Sequence, residues 1–398
     1  ESFRSFEKFD DLAICDPACG CAGFLFDAAK QLKKKTGLPY KNIFAKNIFG
    51  LDIEAYSIKR SEILLALLAI TEGEDEEDFH FNLHVGNALS FEWSSVIPQF
   101  KGFNIVLGNP PYVCSRNMDE RSLDLIYNWE VSKSGHPDLY IPFFQLGVEN
   151  LREDGILGFI TVNTFLKSVN GRALRDYFSR RGLDIRIINF GGEQVFRNRN
   201  TYTCLCFIKN QSGNISYLRI NSSDLSEISE ADYSHYDYSD LHDHNGWNLV
   251  NSFRDRQFIE LIEATGTPLQ DKYLTRNGIA TLKNHIYKFT PIEIRQDTYL
   301  FKSKSGGVYE VEKSICRDII NANKIETPSD LQSKLEKIIF PYYQEEDRTL
   351  IIEESEMTER FPLAYQYLLD HKTELATRDK GNSKYETWYA YGRRQSLD

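Results

Sequence analysis

The stretch Asp16-Pro17-Ala18-Cys19-Gly20-Cys21-Ala22-Gly23-Phe24-Leu25 joins two patterns of different period. Before it, Leu12-Ala13-Ile14-Cys15 is a short apolar run of strand type. After it, Phe24, Leu25, Ala28, Ala29 and Leu32 recur at helical spacing over 24–35. Small residues in a strand-to-helix turn let a ligand approach the backbone, and the helix start offers free N–H groups to an anionic moiety. The alternation continues outward. A strand is expected at 48–53, a helix at 55–70, and strands near Leu83 and at 104–107. A helix at 138–151, a strand at 156–162, an Arg-rich helix at 171–181 and strands at 185–190 and 201–209 follow. Strands alternating with helices predict an α/β, mostly parallel, doubly wound sheet. The short link between the last two strands predicts an antiparallel edge.

The second strand ends Gly50-Leu51-Asp52-Ile53-Glu54. An acid there is where doubly wound folds hold ribose hydroxyls, so the pair of turns points to an adenosine-type cofactor. The strand at 104–107 runs into Asn109-Pro110-Pro111-Tyr112. A rigid turn accounts for the prolines but not for the flanking asparagine and tyrosine. An exocyclic amine conjugated with a ring is a poor nucleophile. The Asn109 side-chain oxygen and the Pro110 carbonyl can accept its two N–H bonds and localise the lone pair. Pro111 keeps both acceptors aimed, a preorganised electrostatic arrangement, and Tyr112 offers a face for a planar base, worth about 1–3 kcal/mol.

Length and composition bound the rest. At 398 residues the chain fits two domains, with a boundary in the acidic, Tyr/His/Ser-rich stretch 221–245: one over 1–235, a second over 246–398. No apolar run reaches the roughly 18 residues of a membrane span, and the start does not read as a signal peptide, which predicts a cytoplasmic protein. The seven cysteines lack zinc spacing and read as free thiols, with Cys204 and Cys206 alternating on one face of a strand; no metal site is expected. The net charge of −11 is unevenly spread. Residues 72–78 hold six acids and 224–243 hold seven without Lys or Arg, whereas 167–209 hold nine basic residues against three acids. A local basic stripe can serve phosphate binding on an acidic protein. The unpatterned stretch 108–137 is long for a compact domain and reads as functional. His136 reads as part of a loop-to-helix junction, His235, His242 and His244 as solvated, and Trp388, Tyr389 and Tyr391 as either base contacts or core.

With those residues in view, D-P-A-C-G-x-x-x-F-L followed by G-N-P-P-Y-V resembles the gamma-class adenine-N6 DNA methyltransferases. It is most similar to the methyltransferase-plus-specificity portion of type IIG restriction-modification enzymes. Asp138-Leu139-Tyr140, the run from Gly158 to Leu166, Val195-Phe196-Arg197, and in the second half Gly278-Ile279-Ala280-Thr281, Ile338 to Tyr343 and Trp388 to Arg393 extend the likeness. The resemblance implies a Rossmann-like seven-stranded methyltransferase sheet with an antiparallel edge strand, followed by an incomplete α+β target-recognition domain. It implies S-adenosylmethionine as cofactor, with Asp16, Ala18 and Gly20 on its methionine side, Asp52 and Ile53 at the ribose, and Asn87 and Ala88 at its adenine. Asn109, Pro110, Pro111 and Tyr112 would hold the target, and Phe196, Arg197 and Arg199 would stabilise a base flipped from double-stranded DNA. Ala22 stands where the family has glycine, Cys21 where serine is common, and Asn87 where aspartate is frequent. The resemblance also implies a cofactor-covering segment and a nuclease domain upstream, and no cleavage by these residues themselves. The same tetrapeptide serves glutamine-N5 protein and guanine-N2 RNA methyltransferases, and a specificity module with dormant catalysis is a third alternative; the long second half favours DNA.

Overall fold

The strand-and-turn alternation closes into one large sheet in a computed structural model, which describes residues 9–76, 78–196, 201–274, 277–346, 348–381 and 385–397. The sheet's strands are β1 (Ile14–Asp16), β2 (Ile48–Asp52), β3 (Asn82–Val85), β4 (Phe103–Gly108), β5 (Leu151–Val162), β6 (Leu183–Asn189), β7 (Thr203–Ser212), β8 (Ile215–Arg219) and β9 (Ser234–Tyr236). Their order is β3-β2-β1-β4-β5-β7-β6-β8-β9. Strands β1 to β6 and β8 share one direction; β7 runs against both β5 and β6. The sheet is therefore mixed, and it departs from the sequence reading in two respects. It has nine strands rather than seven, and the antiparallel β7 lies inside the sheet, because β6 crosses outward and β8 and β9 pair beyond it.

Successive strand residues face opposite sides, so the sheet has two cores. Ile14, Ile48 and Ile105 face a layer made by α1 (Gly23–Thr36), α2 (Tyr40–Lys46) and α3 (Ala55–Thr71). Cys15, Phe49, Leu51 and Val106 face the layer that contains α4 (Glu120–Tyr127), α5 (Tyr140–Glu149) and α6 (Arg172–Arg181). Gly50 is small for a reason: a Cβ there would stand 2.6 Å from a Leu83 methyl and 2.9 Å from one of Leu25. Ala22, at the start of α1, is buried in a left-handed conformation (φ 63°), the geometry that the glycine of the resembled motif adopts without strain.

The first compact unit reaches Thr265, past the boundary read from the acidic stretch. The reason lies in that stretch itself. Tyr236 pairs with Ile215, and Trp247 is fully buried, its N–H donating to the Leu166 carbonyl and its Nε1–H to Asp243. Helix α7 (Phe253–Glu263) closes the unit, its first turn capped by Ser252.

The second unit, Gly266–Asp398, is α+β. Its sheets are β10 (Lys288–Phe289) with β15 (Glu336–Ile339) and β14 (Cys316–Ile319); β11 (Pro291–Ile294), β12 (Thr298–Lys302) and β13 (Val308–Glu312); and the hairpin β16 (Tyr342–Glu345) and β17 (Arg348–Ile351). Five tyrosines stand in its core; four hydroxyls donate to carbonyls, Tyr287 to Tyr389, Tyr367 to Ile286, Tyr389 to Ile352 and Tyr391 to Ile339, and that of Tyr342 accepts from the Tyr391 N–H. Tyr389 and Tyr391 are thus core residues, and Trp388 bonds to Glu354.

Of the cysteines, Cys204 and Cys206 share a buried face with their sulfurs 3.8 Å apart, while Cys21 and Cys114 are exposed; all seven are free thiols. No helix among the described residues is long and apolar enough to cross a membrane, and no group of three or more His, Cys, Asp or Glu among them could hold a metal ion. If Trp247 anchors the far end of the sheet, Trp247→Ala should lower the stability of the first unit by about 3–5 kcal/mol in urea titration, the range for truncating a large buried side chain.

Candidate active site

The parallel strands end along one edge of the sheet, and the turns that leave β1, β2, β3 and β4 surround a cavity of about 400 Å³. Pro17 and Ala18 come from the first turn, Asp52 and Ile53 from the second, Gly86, Asn87 and Ala88 from the third, and Asn109 and Pro111 from the fourth. Its far wall is Met118, Asp119, Leu139 and Phe143, from the segment before α4 and the start of α5.

Asp52 holds three of these turns together. Its Oδ2 accepts from the Gly20 N–H at 2.9 Å, its Oδ1 from the Glu54 N–H at 2.9 Å, and its carbonyl from the Gly86 N–H at 2.9 Å. Each carboxylate oxygen keeps a second lone pair, so the group is already oriented to accept from a diol. Ile53 beside it is exposed and offers an apolar surface to a flat ring. Asn87 directs its Oδ1 to the Leu89 N–H, which fixes the third turn and leaves the amide nitrogen as a donor into the cavity.

Asp16 plays another part than the sequence reading gave it. It is 1% exposed and does not line the cavity. Its Oδ1 accepts from the Ala18 N–H at 3.0 Å, and a Cβ on Gly108 would stand 2.6 Å from that oxygen. Asp16 thus fixes the first turn and packs against the residue that precedes Asn109; only glycine permits that approach. Burial pushes the Asp16 carboxyl up to about 7, with the nearby Asp52 adding to the rise and the Ala18 amide opposing it. Gly20, likewise outside the cavity lining, serves through its bond to Asp52.

In the fourth turn Asn109 is exposed, and neither its side chain nor the Pro110 carbonyl accepts a hydrogen bond from any described residue. Asn109 therefore offers an open acceptor at the cavity, whereas Pro110 is buried and does not line it. Tyr112 is half-buried beneath: its hydroxyl donates to the Ile160 carbonyl at 3.1 Å, and its ring stands edge-on to Tyr140 at 6.4 Å. The Leu139 N–H donates to the Val113 carbonyl, so the Asp138-Leu139-Tyr140 segment braces the turn from behind. Burial raises the Tyr112 hydroxyl well above its usual value, which keeps it a donor. Phe196, half-buried after β6, does not line the cavity, and Arg197 and Arg199 lie outside the described residues.

The sequence reading missed the far wall. Its signal was present in Asp119, whose carboxylate caps α4 by accepting from the Ser122 N–H at 2.8 Å, a polar cap before an apolar run. The raised Asp16 value gives a pH test. The native chain keeps the Asp16 proton where the unfolded chain has released it. That stabilisation is complete below the ordinary value of 3.8 and is lost as pH rises through about 7. Between about pH 5 and about pH 8 the wild type should lose on the order of 3 kcal/mol relative to Asp16→Asn in urea titrations; a constant difference between the two would contradict the assignment.

Residues 46–196 match the Eco57I restriction-modification methylase family. The chain is 27% identical to the type II restriction enzyme and methyltransferase RM.Eco57I of Escherichia coli, over 97% of this chain and 44% of that protein. It is 25% identical to the type II methyltransferase M.BstVI of Geobacillus stearothermophilus, over 54% of this chain and 40% of that one. The chain thus spans less than half the length of either relative. Among solved structures, the type IIL restriction-modification enzyme MmeI in complex with DNA superposes with a TM-score of 0.58 at 12% identity, covering 97% of this chain and 51% of that one. The segment matched by the Eco57I restriction-modification methylase family is the one that carries Asp52, Asn87 and Asn109-Pro110-Pro111-Tyr112.

Proposed function

We propose that this chain is the methyltransferase and specificity portion of a site-specific DNA methyltransferase that modifies adenine N6. The observation that carries the reading is the meeting of the exposed Asn109 side chain, unpartnered among the described residues, with the carboxylate and apolar surface of Asp52 and Ile53 around one cavity. These residues suit S-adenosylmethionine: a pinned carboxylate for a ribose diol, an exposed isoleucine and the Asn87 amide for an adenine. Ala18, by its main chain, would face the amino-acid end. When bound, that cofactor supplies an electrophilic methyl group.

The chain's own residues do the remaining work. The Asn109 side-chain oxygen and the Pro110 carbonyl accept the two N–H bonds of the target amine, which draws its lone pair out of conjugation. Pro111 holds the turn so that neither acceptor rotates away. Tyr112, braced by Ile160 and Tyr140, presents a ring beneath the position of a flipped base. Phe196, Arg197 and Arg199 belong in this reading to the wall and flank of that base. No strong general base is required, because the amine proton becomes acidic only as the new bond forms. Leu139, Phe143 and Met118 give the cavity an apolar wall. Residues 266–398 fill the place of the specificity domain, and cleavage by the intact protein falls to a nuclease domain upstream. The relatives are named as type II enzymes and methyltransferases, and PglX of Streptomyces coelicolor, 23% identical over 47% of this chain, is named adenine-specific.

In cells expressing the intact protein, single-molecule sequencing of the DNA should show N6-methyladenine in one sequence context. Asn109→Ala should abolish it, with a fall in transfer rate of about 10²–10³-fold or more, as for loss of one preorganised group. Modification of RNA or of a protein glutamine by the same preparation, with DNA untouched, would replace this reading.

A further inference from the structure

Further along the same sheet edge lies a second hollow, of about 540 Å³, where β5, β6 and β8 end. Its floor is built. The Asn163 amide donates to the Asn189 side-chain oxygen at 2.8 Å and to the Gly191 carbonyl at 3.2 Å, and Asn189 donates to the Tyr217 hydroxyl at 3.1 Å. Tyr217 and Asn189 are buried, and the Tyr217 hydroxyl keeps its hydrogen to donate. On the rim stand Lys167 and Arg219, both exposed. Their backbones are fixed: Arg219 exchanges two hydrogen bonds with the Asn251 side chain, and the Lys167 N–H donates to Thr164. Among the described residues neither side chain has an ion-pair partner and none that lines the hollow is acidic. Glu193, beyond Arg219, gives its carboxylate to Ser222 instead.

Of the basic stretch 167–209, Arg180 pairs with Asp176 and Glu130, Arg186 with Glu230 and Lys209 with Asp184. Arg175 is buried against main-chain carbonyls, and Arg172 binds the His244 carbonyl. Most described residues of that stretch are thus engaged within the fold, Arg181 over the Tyr177 ring among them, and Lys167 is left at the rim with Arg219 from beyond the stretch.

We infer that the hollow between Lys167 and Arg219 holds the sugar–phosphate backbone of the nucleic-acid strand beside the target nucleotide. The inference rests on the function proposed above. Three strand spacings separate β4 from β6, about 14 Å, which is on the order of four base-pair rises along a duplex axis. A phosphate seated there would meet two cations at the rim and the hydroxyl of Tyr217 at the floor. The contact positions DNA without reading its sequence.

The test is a titration of the intact protein with a random-sequence duplex at several salt concentrations, using Lys167→Gln/Arg219→Gln and Lys167→Arg/Arg219→Lys. The glutamine pair should weaken binding to every duplex, and its slope of log affinity against log salt should be shallower by about 0.9 for each lost phosphate contact. The charge-preserving pair should keep the wild-type slope, and cofactor affinity and melting temperature should be unchanged in both. In transfer assays the glutamine pair should raise KM for DNA and leave kcat in place. An unaltered salt slope in the glutamine pair overturns this inference while leaving DNA methylation by the wild type intact. A wild type that methylates no DNA overturns the proposed function and this inference together.

Discussion

The arrangement of the site depends on Asp52, a carboxylate that is bonded on several sides before any ligand arrives. Its two oxygens and its own carbonyl accept three backbone N–H groups, from Gly20, Glu54 and Gly86. Those donors belong to the turns after β1, β2 and β3, which would otherwise be independent loops. A second buried acid, Asp16, brings in the fourth turn by packing against Gly108. Two carboxylates thus fix the positions of four chain segments, and a helix start that needs anchoring is anchored by charge-assisted bonds, which are shorter and stronger than neutral ones.

The acidity of the chain is largely used to hold it together. The run 72–78 staples the helical layer: Glu74 binds Lys33 and the Tyr40 N–H, and Glu76 binds Lys41. In the second acidic run, Asp243 accepts from Trp247 and Ser179, Asp240 pairs with Arg256 and Glu230 with Arg186. A net charge of −11 therefore says little about the potential at any one edge.

Where apolar period and turn chemistry agreed, the architecture could be read from residues alone. β1 to β4, α1, α3 and the turn at Asn109 fall within a few residues of their expected places. What escaped has identifiable causes. α2 is a seven-residue helix behind a proline, too short to show a period. β8 and β9 lie in or beside polar, acidic sequence, and their place is set by pairing with β6 rather than by their own composition. At the site, Asp52 and Asn109 could be singled out because each follows a strand-type run at a turn, whereas Asn87 came only from the family resemblance. The burial of Asp16 was not, because it depends on Gly108, far away in sequence, coming to lie beside it. The orientation of Tyr112 likewise depends on Ile160 and Tyr140.

The seating of Trp247 bears on how such chains exchange parts. A crossover joining the catalytic half of one protein to the specificity half of another would succeed only downstream of Thr265. Cut within the acidic stretch, the hybrid would inherit its indole plug from one parent and the Phe178 ring that it packs against from the other. Recombination in such a lineage would thus be filtered by a steric match, and joints placed after α7 would escape it.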